Sequence, residues 1–178
     1  MAANTRVLFL DLDGVLNSSR TCLAFGDYPH GLDDASVAKF DPVSLRLVRN
    51  LCRAAGLVIV LSSAWRRIHK FSDVAAALDL PIVGATPMSE TGFRGGEIAE
   101  WLADHPEVSS WAIIDDDTDM LPGQLPRFVR TAGQDGMLWS DFARLCALFG
   151  VTPIDCSPRR NKIVDKFGLL EPPPVEQC

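Results

Sequence analysis

Long hydrophobic runs are absent from this sequence of 178 residues. Its apolar stretches fall far short of the roughly 20 residues that a membrane-spanning helix needs, so we expect no association with a membrane. The five cysteines are odd in number and form no Cys-x-x-Cys pair, which argues against a disulfide framework and against a structural zinc site. None of the three histidines has a partner at metal-ligand spacing. These absences favour a reduced, cytoplasmic protein.

Lysine is also scarce, because only four of the 17 basic residues are lysines and the other thirteen are arginines. The net charge of −6 argues against a broad electrostatic grip on nucleic acid. Arginine is nevertheless the side chain best suited to bidentate phosphate contacts. Neither a Walker loop nor a Gly-x-Ser-x-Gly elbow occurs. We expect a globular protein without an obligate protein partner.

The most informative stretch begins with an apolar run, Val7–Leu10, that shows no alternation and is typical of a strand buried on both faces of a parallel sheet. Asp11 and Asp13 follow at a spacing of two, and Gly14 permits a sharp turn directly after them. Two close carboxylates repel each other unless a cation or a shared proton relieves them. The alternative is an ordinary surface turn, in which Asp and Gly are common.

Strands and helices alternate along the chain as far as residue 149, which predicts an α/β protein with a doubly wound, Rossmann-like parallel sheet of about five strands. After the first strand, the predicted strands are 57–61, 81–84, 108–114 and 128–130, and the predicted helices are 41–56, 63–78, 97–102 and 140–148. The helix 41–56 has the clearest ends, because Asp41-Pro42 is a favourable start and Gly56 a natural stop.

Two segments fall outside this alternation. Residues 17–40 contain several turn residues and no clear periodicity, and so long a loop within a domain is usually functional or disordered. Residues 153–178 hold five of the twelve prolines, a density that blocks regular structure. We therefore divide the chain into a domain at 1–149 and a Pro-rich C-terminal extension at 150–178.

Polar side chains follow three of the predicted strands, at Asp11, Ser62 and Asp115. The carboxyl ends of parallel strands meet at one edge of a sheet, so these residues should converge there. Carboxylates at such an edge make a hard-oxygen site suited to magnesium. The candidate ligands are Asp11, Asp13 and Asp115, joined by Asp116 or Asp119.

Three motifs resemble those of the haloacid-dehalogenase-like (HAD) superfamily, most of whose members are magnesium-dependent phosphatases. The stretch Asp11-Leu12-Asp13-Gly14-Val15 is similar to the first motif of that superfamily. The run 9–17, taken with 61–66 and 111–116, resembles the small HAD domains associated with RNA-repair proteins. The likeness covers roughly residues 5–149. It implies a sheet in the order 5-4-1-2-3, with the first strand central, and a flap or minimal cap at about residues 18–40.

The resemblance also implies roles for individual residues. Asp11 would be the nucleophile that forms an aspartyl-phosphate, and Asp13 the acid that protonates the leaving oxygen and then activates water. Haloacid dehalogenases typically lack the second aspartate, so Asp13 favours phosphoryl transfer. Ser62 would hydrogen-bond the phosphoryl group, with helix capping as its alternative role. The Mg²⁺ ligands would be Asp11, Asp13, Asp115 and Asp116.

The third motif of the superfamily is usually a lysine, and here the chain departs from it. Arg94 is the best candidate for this cation, and an exposed loop arginine is the alternative. If Arg94 does not fill the role, Arg66, Arg67 or Lys70 remains. Three residues after the second motif are predicted to bind substrate, namely Ser63, Trp65 and Arg66, although a tryptophan at a helix start is often a core residue.

The sequence thus predicts a magnesium-dependent phosphomonoester hydrolase. The expected partner is a phosphorylated substrate. The subfamily likeness and the arginines near the motifs favour a nucleotide or nucleic-acid-end phosphate. A small phosphometabolite is the alternative. A catalytically inactive binding module with the same fold is a third hypothesis.

Overall fold

The computed structural model describes residues 5–90 and 92–154. The predicted buried strand is β1, Thr5–Leu10, and its last four residues have no exposed surface. A strand that is apolar on both faces fits the centre of a parallel sheet, where helices cover both sides. The other strands follow in chain order as β2 Val58–Leu61, β3 Ile82–Ala85, β4 Val108–Asp115 and β5 Phe128–Arg130.

The five strands form one sheet in the order β3-β2-β1-β4-β5, and every neighbouring pair is parallel. Read from its other edge, this is the predicted order 5-4-1-2-3 with β1 in the centre. Parallel neighbours need a crossover between them, which is why helices alternate with the strands. The α/β fold class and the sheet order are therefore confirmed.

Helices cover both faces of the sheet, and β1 shows how the two layers are separated. Leu8 and Leu10 belong to one hydrophobic cluster, whereas Val7 and Phe9 belong to the other. The α-helices are α1 Ser19–Phe25, α2 Asp34–Val37, α3 Pro42–Ala55, α4 Phe71–Leu78, α5 Arg94–Ala103 and α6 Trp139–Leu148. The first cluster packs under α3 and α6, and the second packs under α5, which makes the sheet doubly wound.

The predicted ends of α3 are confirmed. Asp41 is its N-cap and accepts a hydrogen bond from Val43 N at 2.9 Å, with Pro42 in the first turn. Gly56 ends the helix in the left-handed conformation at φ 62°, which a residue with a side chain rarely adopts. Local sequence signals were sufficient here because capping chemistry acts within a few residues.

The segment 17–40 is more regular than its sequence indicates, because it contains α1 and α2. Ser18 caps α1 by accepting a hydrogen bond from Thr21 N, and the Thr21 hydroxyl accepts one from Ser18 N. Asp33 caps α2 and also accepts from the Ser36 hydroxyl. The capping box of α1 was missed because Thr21 stands where Glu or Gln is usual.

The predicted helix 63–78 is wrong as a single element. A 3₁₀ helix, Ala64–Arg67, is followed by an extended residue at Lys70, and only then does α4 begin. Ile68 is apolar and three positions after the buried Trp65, yet it is 74% exposed. The apolar spacing therefore joined two short elements into one helix. A second 3₁₀ helix, Pro122–Arg127, precedes β5.

The β5–α6 loop, residues 131–138, braces the turn after β1. Thr131 Oγ1 donates to Gly14 O at 2.8 Å, and Met137 N donates to Val15 O at 2.9 Å. The same loop accepts from the first turn of α1, where Arg20 N donates to the Gln134 carbonyl. The β5–α6 loop thus holds the turn that carries Asp13 in place by hydrogen bonds.

Two further features concern the domain limits. Within the described residues, no helix is both long and apolar enough to cross a membrane. Most of the predicted C-terminal extension, residues 155–178, lies outside the described residues, so that division of the chain stays a prediction.

Candidate active site

Three predicted site residues lie next to one another at the carboxyl edge of the sheet. β1 is the central strand between β2 and β4, and Leu10 is in register with Leu61 on one side and with Ile114 on the other. The residues that follow at this level are therefore neighbours in space, and all three are buried: Asp11 at 4% exposure, Ser62 at 1% and Asp115 at 0%.

Arg94, the first residue of α5, joins these three strand ends. Its Nη1 donates to Asp11 Oδ1 at 3.0 Å and to Asp115 Oδ2 at 2.8 Å, and it also donates to the Ser62 carbonyl oxygen. The Arg94 side chain is 15% exposed. The sequence identified Arg94 as the candidate third-motif cation, and the structure brings it to both buried carboxylates.

Asp119 fixes the point at which α5 begins. Its Oδ2 accepts from Arg94 N at 2.7 Å, and its carbonyl accepts from Gly95 N at 3.0 Å. The carboxylate thus stabilises the free N–H groups and the positive end of the helix dipole. Asp119 was one alternative for the fourth metal ligand, but its contacts are with the helix that presents Arg94. Sequence reasoning missed this role because the two residues are 25 positions apart.

Asp116, the other alternative for the fourth metal ligand, lies beside the two strand-end carboxylates. One carboxylate oxygen from each of Asp11, Asp115 and Asp116 lies within 4.8 Å of the other two, an arrangement that could hold a metal ion. The Asp116 carboxylate lies in a gap between Gly14 and Gly133. A Cβ added at Gly133 would lie 2.6 Å from Asp116 Oδ2, and one added at Gly14 would also overlap this carboxylate. The close approach therefore requires glycine at both positions.

Asp13 lies in the same region, but its carboxylate is not part of that three-oxygen group. Its Oδ1 accepts from Asn17 Nδ2 at 2.8 Å, and its Oδ2 accepts from Trp65 Nε1 at 3.0 Å. The side chain is exposed to the cavity described below. This position is compatible with the predicted acid–base role, whereas a metal-ligand role for the Asp13 carboxylate stays a prediction.

Burial dominates the electrostatics of the two strand-end carboxylates. It raises the pKa of Asp11 to about 6, against the lowering effect of the Arg94 charge. It raises the pKa of Asp115 to about 8, and the neighbouring charge of Asp11 adds to the increase. Although burial opposes it, the charges of Asp115 and Asp11 raise the pKa of Arg94. One guanidinium therefore does not offset two buried negative charges, and a divalent cation bound by carboxylates fits this excess.

These shifts predict that stabilisation by magnesium grows with pH. The folded-state pKa values of Asp11 and Asp115 both lie above the ordinary value of 3.8, so the folded protein binds protons there more tightly than the unfolded chain does. The contribution of these two carboxyl groups to folding stability is full at low pH and is lost as the pH rises through about 6 and about 8. Without magnesium, the melting temperature should fall between about pH 5 and about pH 8. Magnesium competes with protons for the same oxygens, so it should raise the melting temperature by several degrees at the higher pH and hardly at all at the lower.

Differential scanning calorimetry at both pH values, with and without magnesium, measures this effect. Asp115→Asn is the matched variant, because it removes the carboxyl with the larger increase in pKa and should flatten the pH dependence. An equal magnesium effect at both pH values would contradict the prediction.

The two serines after β2 differ in their contacts. Ser62 Oγ is buried and has no hydrogen-bond partner within the described residues, so it is available to a phosphoryl oxygen. Ser63 is fully buried, caps the 3₁₀ helix Ala64–Arg67, and its hydroxyl contributes to lowering the pKa of Asp11 against the effect of burial. The helix-capping role considered for Ser62 therefore belongs to Ser63. The buried Ser63 hydroxyl also stabilises the charged form of Asp11 by a hydrogen bond.

Arg66 was predicted to bind substrate, and its side chain is engaged within the protein. That side chain is 6% exposed and forms an ion pair with Glu97, whose side chain is 1% exposed. It also donates to the Ser63 carbonyl at 2.7 Å, and it is not among the residues that line the cavity. The buried Glu97 carboxylate needs a partner of opposite charge, and Arg66 provides it. Arg66 thereby links the second motif to α5. No local pattern signals this pair, since its members are 31 positions apart.

A cavity of about 610 Å³ opens over the sheet edge. Its lining includes Asp11, Asp116 and Arg94, residues of the segment predicted as a flap, and Ile68. Tyr28 is an aromatic side chain of that segment and is 40% exposed. The lining residues are Asp11, Asp13, Gly14, Asn17, Ser18, Tyr28, Pro29, His30, Trp65, Ile68, Arg94, Asp116, Asp117 and Gly133.

Comparison with known proteins shows the family of this chain. Residues 7–142 match the family described as the HAD domain in Swiss Army Knife RNA repair proteins. A haloacid dehalogenase-like hydrolase from Streptococcus pneumoniae is a similar solved structure, at 14% identity and a TM-score of 0.43, with 83% of this chain and 92% of that chain covered. No match was found among curated proteins. The family match spans most of the chain and contains every candidate catalytic and metal-binding residue, so this protein belongs to the family of HAD domains described from Swiss Army Knife RNA repair proteins.

Proposed function

We propose that this protein is a magnesium-dependent phosphomonoesterase that acts through an aspartyl-phosphate on nucleotide or nucleic-acid-end phosphates. The observation that carries the proposal is the meeting of Asp11, Ser62 and Arg94 beneath an open cavity. A carboxylate nucleophile, a cation in contact with it and an unpaired buried hydroxyl are the groups that phosphoryl transfer needs.

In the first step an oxygen of Asp11 attacks phosphorus. The bond from phosphorus to the ester oxygen breaks, its electron pair goes to that oxygen, and the oxygen takes a proton from Asp13. The Ser62 hydroxyl donates to a non-bridging oxygen, and Arg94 offsets the negative charge that builds up beside Asp11. The products of this step are the free alcohol and phospho-Asp11.

In the second step water attacks the same phosphorus atom. Asp13, now a carboxylate, takes a proton from the water, and the bond from phosphorus to Asp11 breaks with its electrons returning to the carboxylate. Inorganic phosphate is released and Asp11 is regenerated. The exchange of one proton at Asp13 therefore closes the cycle.

Magnesium is the cation that best fits the acidic cluster. Asp11, Asp115 and Asp116 would hold it, since their oxygens lie close together and oxygen is the ligand it prefers. When bound, it would neutralise carboxylate charge and polarise a phosphoryl oxygen. Arg94 holds the Asp11 and Asp115 carboxylates in place through its ion pairs with both.

The aromatic and apolar part of the cavity lining supports a substrate that carries a base. Tyr28 contributes a partly exposed ring, the lining also includes Pro29 and Ile68, and His30 adds a polar group. Stacking of a base on an aromatic ring contributes roughly 1–3 kcal/mol. Trp65 does not supply the stacking surface, because it is 6% exposed and its ring packs against Phe40 and His69.

A phosphate-release screen tests the substrate class. We expect 3′- or 5′-phosphorylated oligonucleotides and mononucleotides to be hydrolysed with kcat/KM values at least about tenfold above those of sugar phosphates, as one stacked base would give. Tyr28→Ala should remove most of that preference by weakening only the base-carrying substrates. Phe71→Ala is the matched control, because Phe71 is 39% exposed and does not line the cavity.

Three outcomes are informative. Preference for a base that Tyr28→Ala abolishes supports the proposal. Hydrolysis of sugar phosphates far faster than any base-carrying substrate would instead favour the small-phosphometabolite hypothesis. An equal loss on every substrate in Tyr28→Ala would show that Tyr28 contributes to folding of the flap and not to recognition.

A further inference from the structure

The carboxylate of Asp13 is held by two protein donors, one on each oxygen. Trp65 Nε1 donates to Oδ2 at 3.0 Å and Asn17 Nδ2 donates to Oδ1 at 2.8 Å. Both donors are buried, with Trp65 at 6% and Asn17 at 1% exposure, although the carboxylate itself faces the cavity. An exposed carboxylate is normally hydrated and rotates freely, so two fixed donors restrict both its position and the plane of its oxygens.

Trp65 is rigidly placed for this task. Its ring packs against Phe40, which is 1% exposed, with centroids 5.4 Å apart, and against His69 at 5.3 Å. The backbone of the 3₁₀ helix that carries it is capped by Ser63. The indole N–H is a donor only and has no acceptor function, so it can orient a carboxylate without exchanging protons with it.

The two donors come from different parts of the site. Asn17 follows the first motif in the chain, whereas Trp65 follows the second and reaches Asp13 across 52 positions. The carboxylate is therefore fixed relative to both Asp11 and Ser62, which belong to those same motifs. A proton donor that is fixed relative to the nucleophile keeps the geometry that proton transfer to the leaving oxygen requires.

We propose that Trp65 is a positioning residue that, together with Asn17, holds the Asp13 carboxyl group where it delivers its proton to the leaving oxygen. This inference rests on the function proposed above, in which Asp13 is the general acid. It assigns Trp65 a role in the first chemical step in place of the predicted contact with substrate. The alternative is that the hydrogen bond from the indole N–H to Asp13 contributes only to the stability of the fold.

Dependence on the leaving group separates the two explanations. An alkyl ester, such as a nucleoside monophosphate, releases a poor leaving group that needs a proton as the bond to phosphorus breaks. Dinitrophenyl phosphate releases a stable anion that needs none. Misplacing the acid therefore slows only the first substrate, whereas a damaged fold slows both. The rate of alcohol or phenolate release in a single turnover isolates this step from the later hydrolysis.

The central variant is Trp65→Phe, which keeps an aromatic ring against Phe40 and His69 and removes the N–H. We expect it to slow release from the nucleoside monophosphate by about tenfold or more, and release from dinitrophenyl phosphate by less than about threefold. Trp101→Phe is the matched control, since Trp101 is equally buried at 6% but lies in the hydrophobic cluster on the other face of the sheet. It should slow neither substrate selectively.

Asn17→Ala provides a second route if Trp65→Phe folds poorly, because it removes the other donor and should show the same selectivity. Equal slowing of both substrates by both variants, or no slowing of either, would overturn the inference. Asp13→Asn tests the function beneath it, and it should slow the nucleoside monophosphate by at least about 100-fold while sparing dinitrophenyl phosphate. If Asp13→Asn is selective and Trp65→Phe and Asn17→Ala are not, only the positioning role fails. If Asp13→Asn is not selective, the general-acid role fails as well.

Discussion

Asp11→Asn is expected to abolish phosphate release and, at the same time, to leave the fold as stable as before or more stable. The amide cannot act as the nucleophile, so turnover should fall by about four orders of magnitude or more. Burial raises the pKa of Asp11, which means that its charged form is disfavoured in the folded protein. Removing that charge also removes its repulsion with Asp115. Activity and stability should therefore change in opposite directions.

Phosphate release under saturating magnesium and thermal unfolding without magnesium measure the two effects. Asp104→Asn is the matched control. It makes the same chemical change at an exposed residue, at the end of α5 remote from Arg94 and the acidic cluster. It should alter neither quantity. Substantial activity in Asp11→Asn would contradict the aspartyl-phosphate route.

Beryllium fluoride distinguishes an enzyme from an inactive binding module with the same fold. Together with magnesium it mimics a phosphoryl group on an aspartate, so it should raise the melting temperature of the wild-type protein and have no such effect on Asp11→Asn. The absence of any shift in the wild-type protein would favour the binding module.

Arg94→Ala should have the second-largest effect. Arg94 Nη1 contacts Asp11, Asp115 and the Ser62 carbonyl, so the variant removes the cation that offsets charge beside the nucleophile. Loss of one such electrostatic group typically lowers kcat by about 100- to 1,000-fold. Arg94→Lys keeps a positive charge and N–H donors but loses the planar guanidinium, and it should restore part of the rate.

The same variant should lose stability in a pH-dependent manner. Without Arg94, two buried carboxylates face each other unpaired, which is strongly destabilising when both are charged. As the pH falls they take up protons and the penalty fades, so the loss of stability should be larger at about pH 8 than at about pH 5. Chemical denaturation at the two pH values measures this difference, and an equal loss at both would contradict the proposed charge balance.

Arg67→Ala is the control for Arg94→Ala. Arg67 is exposed on the 3₁₀ helix after the second motif and was one of the alternative third-motif cations. It should retain near wild-type activity. A loss below about threefold in Arg94→Ala, together with a large loss in Arg67→Ala, would move the third-motif role to Arg67.

Wherever the relevant interactions are local, the sequence was sufficient to predict the structure. The unbroken apolar run before Asp11 predicts a strand buried on both faces, because only a sheet covered on both sides tolerates it. Asp41-Pro42 and Gly56 predict the ends of α3, because capping acts within one turn. The convergence of Asp11, Ser62 and Asp115 also follows from sequence, since in a parallel sheet strand ends share an edge.

Local sequence patterns predicted the secondary structure wrongly in two segments. In one the helices depend on caps that are hard to recognise, and in the other on which apolar residues are buried. The segment 17–40 contains two helices that its sequence does not indicate. Thr21 is not the residue type usual in the capping box of α1, and Asp33 caps α2 within a stretch that shows no clear periodicity. Ile68 is apolar and lies within the predicted helix 63–78, yet it is largely exposed and falls between two separate short helices. Helical spacing records which residues are apolar but not which of them reach the core.

The tertiary structure alone decided how the charged and polar side chains are paired. Arg66 and Arg94 have the same chemistry in sequence, yet one pairs with buried Glu97 and the other with Asp11 across 83 positions. Likewise, the Trp65 indole reaches Asp13 only because the 3₁₀ helix places it there. A side chain selects its partner by which charges the packed elements bring within a few ångströms, and pairs separated by tens of residues leave no periodic trace in the sequence. The motifs therefore fix where the chemistry lies, and packing fixes which residue performs each part of it.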